Sequence, residues 1–189
     1  MNRLLLAMIV ASAAPQAMAQ SQGVRETALA RIPKAHLVAA DPELVRAVRI
    51  QNAARESMDE VRRKDEEWRA NPGYPLRKEL SANSCSRRLR ELTSDDPFVA
   101  EVILMDAQGA NVCSSRETTD YWQGGEAKYQ RTFAAGKELL VEEPAFDASS
   151  GAYAMQLTTL VLDGKSRIGA LTLTLRVRKE DVTKAAVPR

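Results

Sequence analysis

At Phe98 the hydrophobic pattern of this chain changes period, and that change constrains the fold more than any other feature. Before it, from Asp41 onward, apolar residues recur at spacings of three and four, the period of an amphipathic helix. Beyond it they alternate, or run continuously in short blocks bounded by turn residues, which is the pattern of strands. The clearest strand is the last, 168–177, where Leu171, Leu173, Leu175 and Val177 alternate with Thr172, Thr174 and Arg176. Such a strand has one apolar face, so the sheet it joins must be covered on that side. Helices first and strands afterwards predict an α+β domain rather than alternating βαβ units.

Asp41-Pro42-Glu43 supplies a capping carboxylate, a proline at the first helical position and an acid in the first turn. No proline or glycine follows until Pro72-Gly73, which predicts one helix of about 30 residues, ~43 Å long at 1.5 Å per residue. Its apolar stripe is Leu44, Val48, Ala54, Met58, Val61 and Trp68, interrupted by Gln51 and Asp65. The charged run 62–67 reads as its solvated face. A second helix is expected over 76–92, carrying Leu76, Leu80, Leu89 and Leu92. Strands are expected at 98–105 and 110–115, joined through the turn Asp106-Ala107-Gln108-Gly109. A polar stretch 116–125 leads to a short helix, 126–135, stopped by Gly136. Strands at 139–141, 152–162 and 168–177 complete a five-stranded antiparallel sheet backed by the long helix.

The chain opens Met-Asn-Arg, continues apolar to Val10 and reaches Ala17-Met18-Ala19, the three parts of a secretory signal. The apolar run of roughly ten residues falls short of the ~20 needed to span a bilayer. Residues 1–19 are therefore read as a signal peptide, 20–40 as an irregular lead-in, 41–178 as one domain and 179–189 as a tail. The expected location is periplasmic or secreted. The formal charge is +2, and loss of Arg3 with the leader brings it closer to zero, which argues against a nucleic-acid partner.

Chemistry-bearing residues are few. His36 is the single histidine and Cys85 and Cys113 the only cysteines, which excludes the usual zinc and covalent-haem arrangements. There is no Gly-x-Ser-x-Gly elbow and no phosphate-cradling glycine loop. Glu142-Glu143, being adjacent on an extended segment, point to opposite faces. No enzyme, metal or cofactor is expected. A Cys85–Cys113 disulfide would close a loop of about 29 residues and add roughly 3–4 kcal/mol by the chain-entropy estimate. Two buried thiols, or a redox-active pair in an exported thiol protein, are the alternatives.

This order of elements resembles a single Cache domain, the PAS-like extracellular sensor fold also called PDC. The resemblance rests on the long N-terminal helix, the hairpin VILMDAQGANVCSS (102–115), Thr118-Thr119-Asp120-Tyr121-Trp122, and VLDGKSRIGALTLTL (161–175). It covers about 41–177. It implies a small-molecule ligand of the amino acid, carboxylate or amine class, held between the sheet and the polar loop–short-helix segment. It also implies a membrane receptor or kinase partner and a homodimer through the long N-terminal helix. Relatives carry an acid where Gly125 stands, so this chain departs from them there.

On that reading the candidate ligand-contacting residues are Ser115, Tyr121, Trp122, Lys128, Tyr129, Arg131, Tyr153, Gln156 and Thr158. Tyr121 and Trp122 offer contact area with a polar tip, or one of them caps the core. Lys128 and Arg131, three apart, share a helix face that suits a carboxylate, or a solvated one. In the fourth strand Tyr153, Met155 and Leu157 share one face, and Gln156 and Thr158 share the other with Thr172 and Thr174 of the next strand. That second face is either a ligand face or a plain solvent face. A ligand-free docking module of the same fold is the alternative function.

Overall fold

The computed structural model describes residues 13–147 and 152–177, so the apolar part of the expected leader and the expected tail lie outside the described residues. Six helices come first: α1 (Ala13–Leu29), α2 (Ile32–Ala39), α3 (Pro42–Ala53), α4 (Met58–Ala70), α5 (Pro75–Ala82) and α6 (Ser84–Thr93). The hairpin of β1 (Val99–Met105) and β2 (Asn111–Ser114) follows. Next comes α7 (Ala127–Tyr129), which runs into a π-helical turn, Gln130–Ala134. Strands β3 (Leu139–Val141), β4 (Ala145–Asp147), β5 (Ala152–Asp163) and β6 (Ser166–Val177) close the domain. The antiparallel sheet has the order β2-β1-β6-β5-β3. The α+β class and the five expected strands are therefore present. The sixth, β4, pairs with the start of β5 through Ala145↔Ala154 and Phe146↔Tyr153; three residues are too few to show a period.

Alternation in β6 places Leu171, Leu173, Leu175 and Val177 on one face, all fully buried. They meet Val102 and Leu104 of β1, Met155 and Leu157 of β5, and a helical layer made by α1, α2, α3 and α6. Burying a Val or Leu side chain is worth about 1.5–3 kcal/mol, so this layer carries most of the fold's stability. Cys85 of α6 and Cys113 of β2 form a disulfide across it, with Cα atoms 5.8 Å apart and both residues buried.

Three expectations about the helical half are corrected. Residues 20–40 are not irregular but belong to α1 and α2, which bury Val24, Ala28, Ala35 and Val38 in the main core. Gly23 and Pro33 interrupt the segment, and its buried residues are small while Leu29 and Leu37 stay exposed, so the apolar stripe that packs on the sheet is masked in the sequence. Met18 and Ala19 are exposed, so a cut after Ala19 would spare the packed part of α1.

The single long helix is two helices. Arg55 takes a positive φ of 50°, and Ser57 restarts the helix by accepting a hydrogen bond from the Glu60 backbone N–H at 3.2 Å. Ser-x-x-Glu is a capping-box spacing, hidden inside a run free of proline and glycine. The expected second helix likewise breaks at Asn83, whose Oδ1 accepts from the Ser86 N–H at 2.7 Å. The apolar faces of α3 and α4 are both used within the chain, α3 through Leu44 and Val48 on the sheet and α4 through Val61 and Trp68 in a second cluster.

The two polar interruptions of the predicted stripe have structural work. Gln51 donates through Nε2 to Asp106 Oδ2 at 2.8 Å. Asp106 Oδ1 in turn accepts from the backbone N–H groups of Gln108 at 2.8 Å and Ala110 at 2.9 Å, shaping the β1–β2 turn. Burial pushes the Asp106 carboxyl above its ordinary pKa, and these hydrogen bonds pull the other way. Asp65 Oδ1 accepts from the backbone N–H groups of Tyr121 and Trp122, each at 3.0 Å, and so holds the polar loop onto α4.

Candidate functional site

The face of the sheet turned away from the helical layer is built in cross-strand rungs. Glu101, Thr174 and Gln156 form one rung, and Ile103, Thr172 and Thr158 the next. Leu140 extends the second rung, being paired with Thr158. Met105, Ala170 and Leu160 form the third. Polarity therefore falls along the strands from a carboxylate–hydroxyl–amide row to an apolar row. The α7–π segment lies over β5 and β6. Tyr129 and Phe133, stacked with centroids 5.3 Å apart, close the apolar end against Ile103, Met105 and Ala170. Tyr129 is held there because its hydroxyl donates to the Ala107 carbonyl at 2.7 Å; burial raises its pKa.

Over the polar end sits Lys128, only 4% exposed and paired with Glu126 at 2.9 Å. Thr132, one turn on and fully buried, donates its hydroxyl to the Lys128 carbonyl. Glu101 is half-buried on β1, and desolvation pushes its pKa above the usual carboxylate value. The Lys128, Arg116 and Arg176 charges act against that rise, while Glu126 adds to it. Among the described residues Glu101 has no ion pair within 4 Å. Beside it, Thr174 Oγ1 is enclosed and has no hydrogen-bond partner among the described residues. In the middle rung Thr158 and Thr172 satisfy one another, their hydroxyls 2.8 Å apart.

The expected site residues distribute as follows. Lys128, Tyr129, Gln156 and Thr158 gather on or over this face. Arg131 does not join Lys128: it is exposed, and the inward position in that turn is taken by Thr132. Tyr153 lies on the opposite face of β5, edge-on to Phe146 with centroids 5.3 Å apart and packed against the main core. Ser115 Oγ accepts from the Val102 N–H at 2.8 Å and extends the hairpin ladder. Tyr121 is a core residue, 3% exposed and 5.9 Å from Trp68 in the cluster between α4, α5 and the loop; burial raises its pKa. Trp122 is half-buried and lines a surface groove against α4 instead of the sheet face. Glu101, which strand register adds to this face, is not among the expected residues. Its signal was present, a single carboxylate in an otherwise apolar central strand.

No protein-family model matches this chain, and no curated protein matches it. Solved structures do resemble it. The sensor domain of the V. cholerae histidine kinase DctB aligns at 17% identity with a TM-score of 0.45, over 93% of this chain and 60% of that one. The ligand-binding domain of the Pseudomonas aeruginosa PAO1 amino acid chemoreceptor PctC, in complex with GABA, aligns at 16% identity and a TM-score of 0.47, over 88% and 60%. The ligand-binding domain of the Pseudomonas fluorescens chemoreceptor CtaA, in complex with L-serine, aligns at 11% identity and a TM-score of 0.43, over 91% and 60%. The chain thus spans about 60% of the length of these domains. Likenesses of this size leave the ligand to be argued from the site. No helix among the described residues is long and apolar enough to cross a membrane.

Proposed function

We propose that this chain is an exported single Cache-type sensor domain, a binding module rather than an enzyme. Its ligand is a small amino acid, carboxylate or amine, and it reports occupancy to a membrane signalling partner. The observation that carries this reading is the first rung of the sheet face. An enclosed hydroxyl without a partner, Thr174 Oγ1, stands beside the half-buried Glu101 carboxylate and the Gln156 amide. A buried polar group without a hydrogen bond costs roughly 1–3 kcal/mol, so a plain packed face would select an apolar residue there. A solvent face fits no better, because Thr158, Thr172 and Lys128 are buried. The gradation from Glu101 to Ile103 suits a molecule with a polar head and a short apolar body. The signal-like pattern of residues 1–19 and the Cache-like order of elements support export and sensing.

The test is a thermal-shift screen against amino acids, organic acids and amines. A ligand at a hundred times its dissociation constant adds about 2.7 kcal/mol to stability. The reading requires a raised melting temperature with at least one compound, and loss of that shift in Thr174→Val and Glu101→Gln. A panel that leaves the protein unmoved, or a shift that both variants retain, would transfer the function away from this face.

A further inference from the structure

A groove of about 390 Å³ separates α4 from the loop that carries Trp122. It lies outside the sheet-face rungs. Trp122 is rigidly placed: its indole Nε1–H donates to the Gln108 carbonyl at 2.8 Å and its backbone N–H to Asp65 at 3.0 Å. Ala110 pairs with it across an isolated bridge. At Gly125 a Cβ would stand 3.3 Å from Cζ3 and 3.5 Å from Cη2 of the indole. Glycine at this position therefore leaves the outer edge of the ring uncovered.

The charges around that ring are unbalanced. Asp65, Glu66, Asp120 and Glu126 line the groove against Arg62 and Arg69. Arg69 is already engaged, 3.0 Å from Asp65 and 3.9 Å from Asp120. Elsewhere among the described residues a cation sits over Phe98, Tyr121, Trp68 and Phe133. Trp122, like Tyr74, Tyr129 and Phe146, carries none, although two arginines share its groove. With Lys128 on Glu126, four carboxylates stand against three cations, an excess of one beside an aromatic ring free of a protein cation, which is an arrangement that suits an organic cation.

We infer that the groove is a second binding site, for a small organic cation of the ammonium or guanidinium class. The cation stacks on Trp122 while Glu66 and Asp120 supply the counter-charge. Glu126 borders the same space, but it is tied to Lys128, so the charge variants are best made at Glu66 and Asp120.

The experiment titrates the full chain with choline, with agmatine and with 3,3-dimethylbutanol, the uncharged analogue of choline, at constant ionic strength. Indole fluorescence and calorimetry are read together. Trp68, the other tryptophan, is 1% exposed, so a spectral change reports Trp122. A saturable change with either cation at millimolar concentration or below is expected, with none from the alcohol. The combined Glu66→Gln and Asp120→Asn variant should weaken binding about fivefold, as fits exposed charge pairs. Gly125→Leu, which covers the ring edge, should abolish it while the melting temperature holds. No saturable change with either cation, equal binding of the alcohol, or binding undiminished in both variants would each overturn the assignment. Thr174→Val leaves the groove intact, so failure of the sheet-face reading and failure of this one are distinguishable.

Discussion

Removing the Cys85–Cys113 cross-link tests how far the helical half depends on being tied to the sheet. The bond joins α6 to the edge strand β2 across a sequence separation of 28, and both residues are buried in the main core. For a loop of that length the chain-entropy model assigns about 3.5 kcal/mol to restriction of the unfolded chain. Cys85→Ala combined with Cys113→Ala should therefore lower stability by about 3–4 kcal/mol. For a domain of this size that corresponds to a fall in melting temperature of about 10 °C, at 2–4 °C per kcal/mol. Urea unfolding followed by circular dichroism is the assay, because the entropic argument also predicts a larger m-value once the unfolded chain can expand. A loss below about 1 kcal/mol would refute the reasoning. So would a full loss at an unchanged m-value, which would place the effect in lost packing around the two sulfurs.

Glu101→Gln should raise the melting temperature at neutral pH, because desolvation holds the native Glu101 carboxyl above its ordinary pKa of 4.5. With the folded pKa above the unfolded one, the folded state binds the extra proton. The penalty is fully present above the folded pKa and fades as pH falls to the unfolded value. Melting curves of the two proteins should converge below about pH 4, and a constant gap across pH would contradict the assignment. Asp65→Ala orphans the backbone N–H groups of Tyr121 and Trp122 and should cost about 2–4 kcal/mol; Asp65→Asn, which keeps an acceptor, should cost less in the same urea titration. Thr174→Val should leave the ligand-free protein as stable as before, or up to about 1 kcal/mol more stable, since it removes a buried hydroxyl that makes no hydrogen bond. A clear destabilisation on calorimetric unfolding would show that the hydroxyl is satisfied after all.

Much of the sheet was legible along the chain because its causes are local. In β6 the period of two is the pleat itself, so Leu171, Leu173, Leu175 and Val177 announce a buried face wherever the strand is placed. Asp106 and Gly109 announce the hairpin turn, since Gly109 adopts φ of 80° and the Asp106 carboxylate caps the turn it opens. The breaks at Ser57 and Asn83 were equally local, written in capping residues, but an uninterrupted stretch without proline or glycine outweighed them. Even the polarity of the candidate face, Gln156 and Thr158 against Thr172 and Thr174, follows from alternation.

Tertiary structure alone decided the rest. Residues 20–40 pack as helices because β5 and β6 offer Val24, Ala28 and Val38 a surface to cover; Gly23, Pro33 and the exposed Leu29 and Leu37 hide that stripe along the chain. Tyr121 and Trp122 are neighbours in sequence, yet one enters the core beside Trp68 and the other lines a groove, because Asp65 fixes the loop between them. Glu101, Thr174 and Lys128 come from three separate elements, and only strand register and the seating of α7 bring them together. Period and capping are properties of neighbours along the chain. The company a buried polar group keeps depends on which distant segments pack over it.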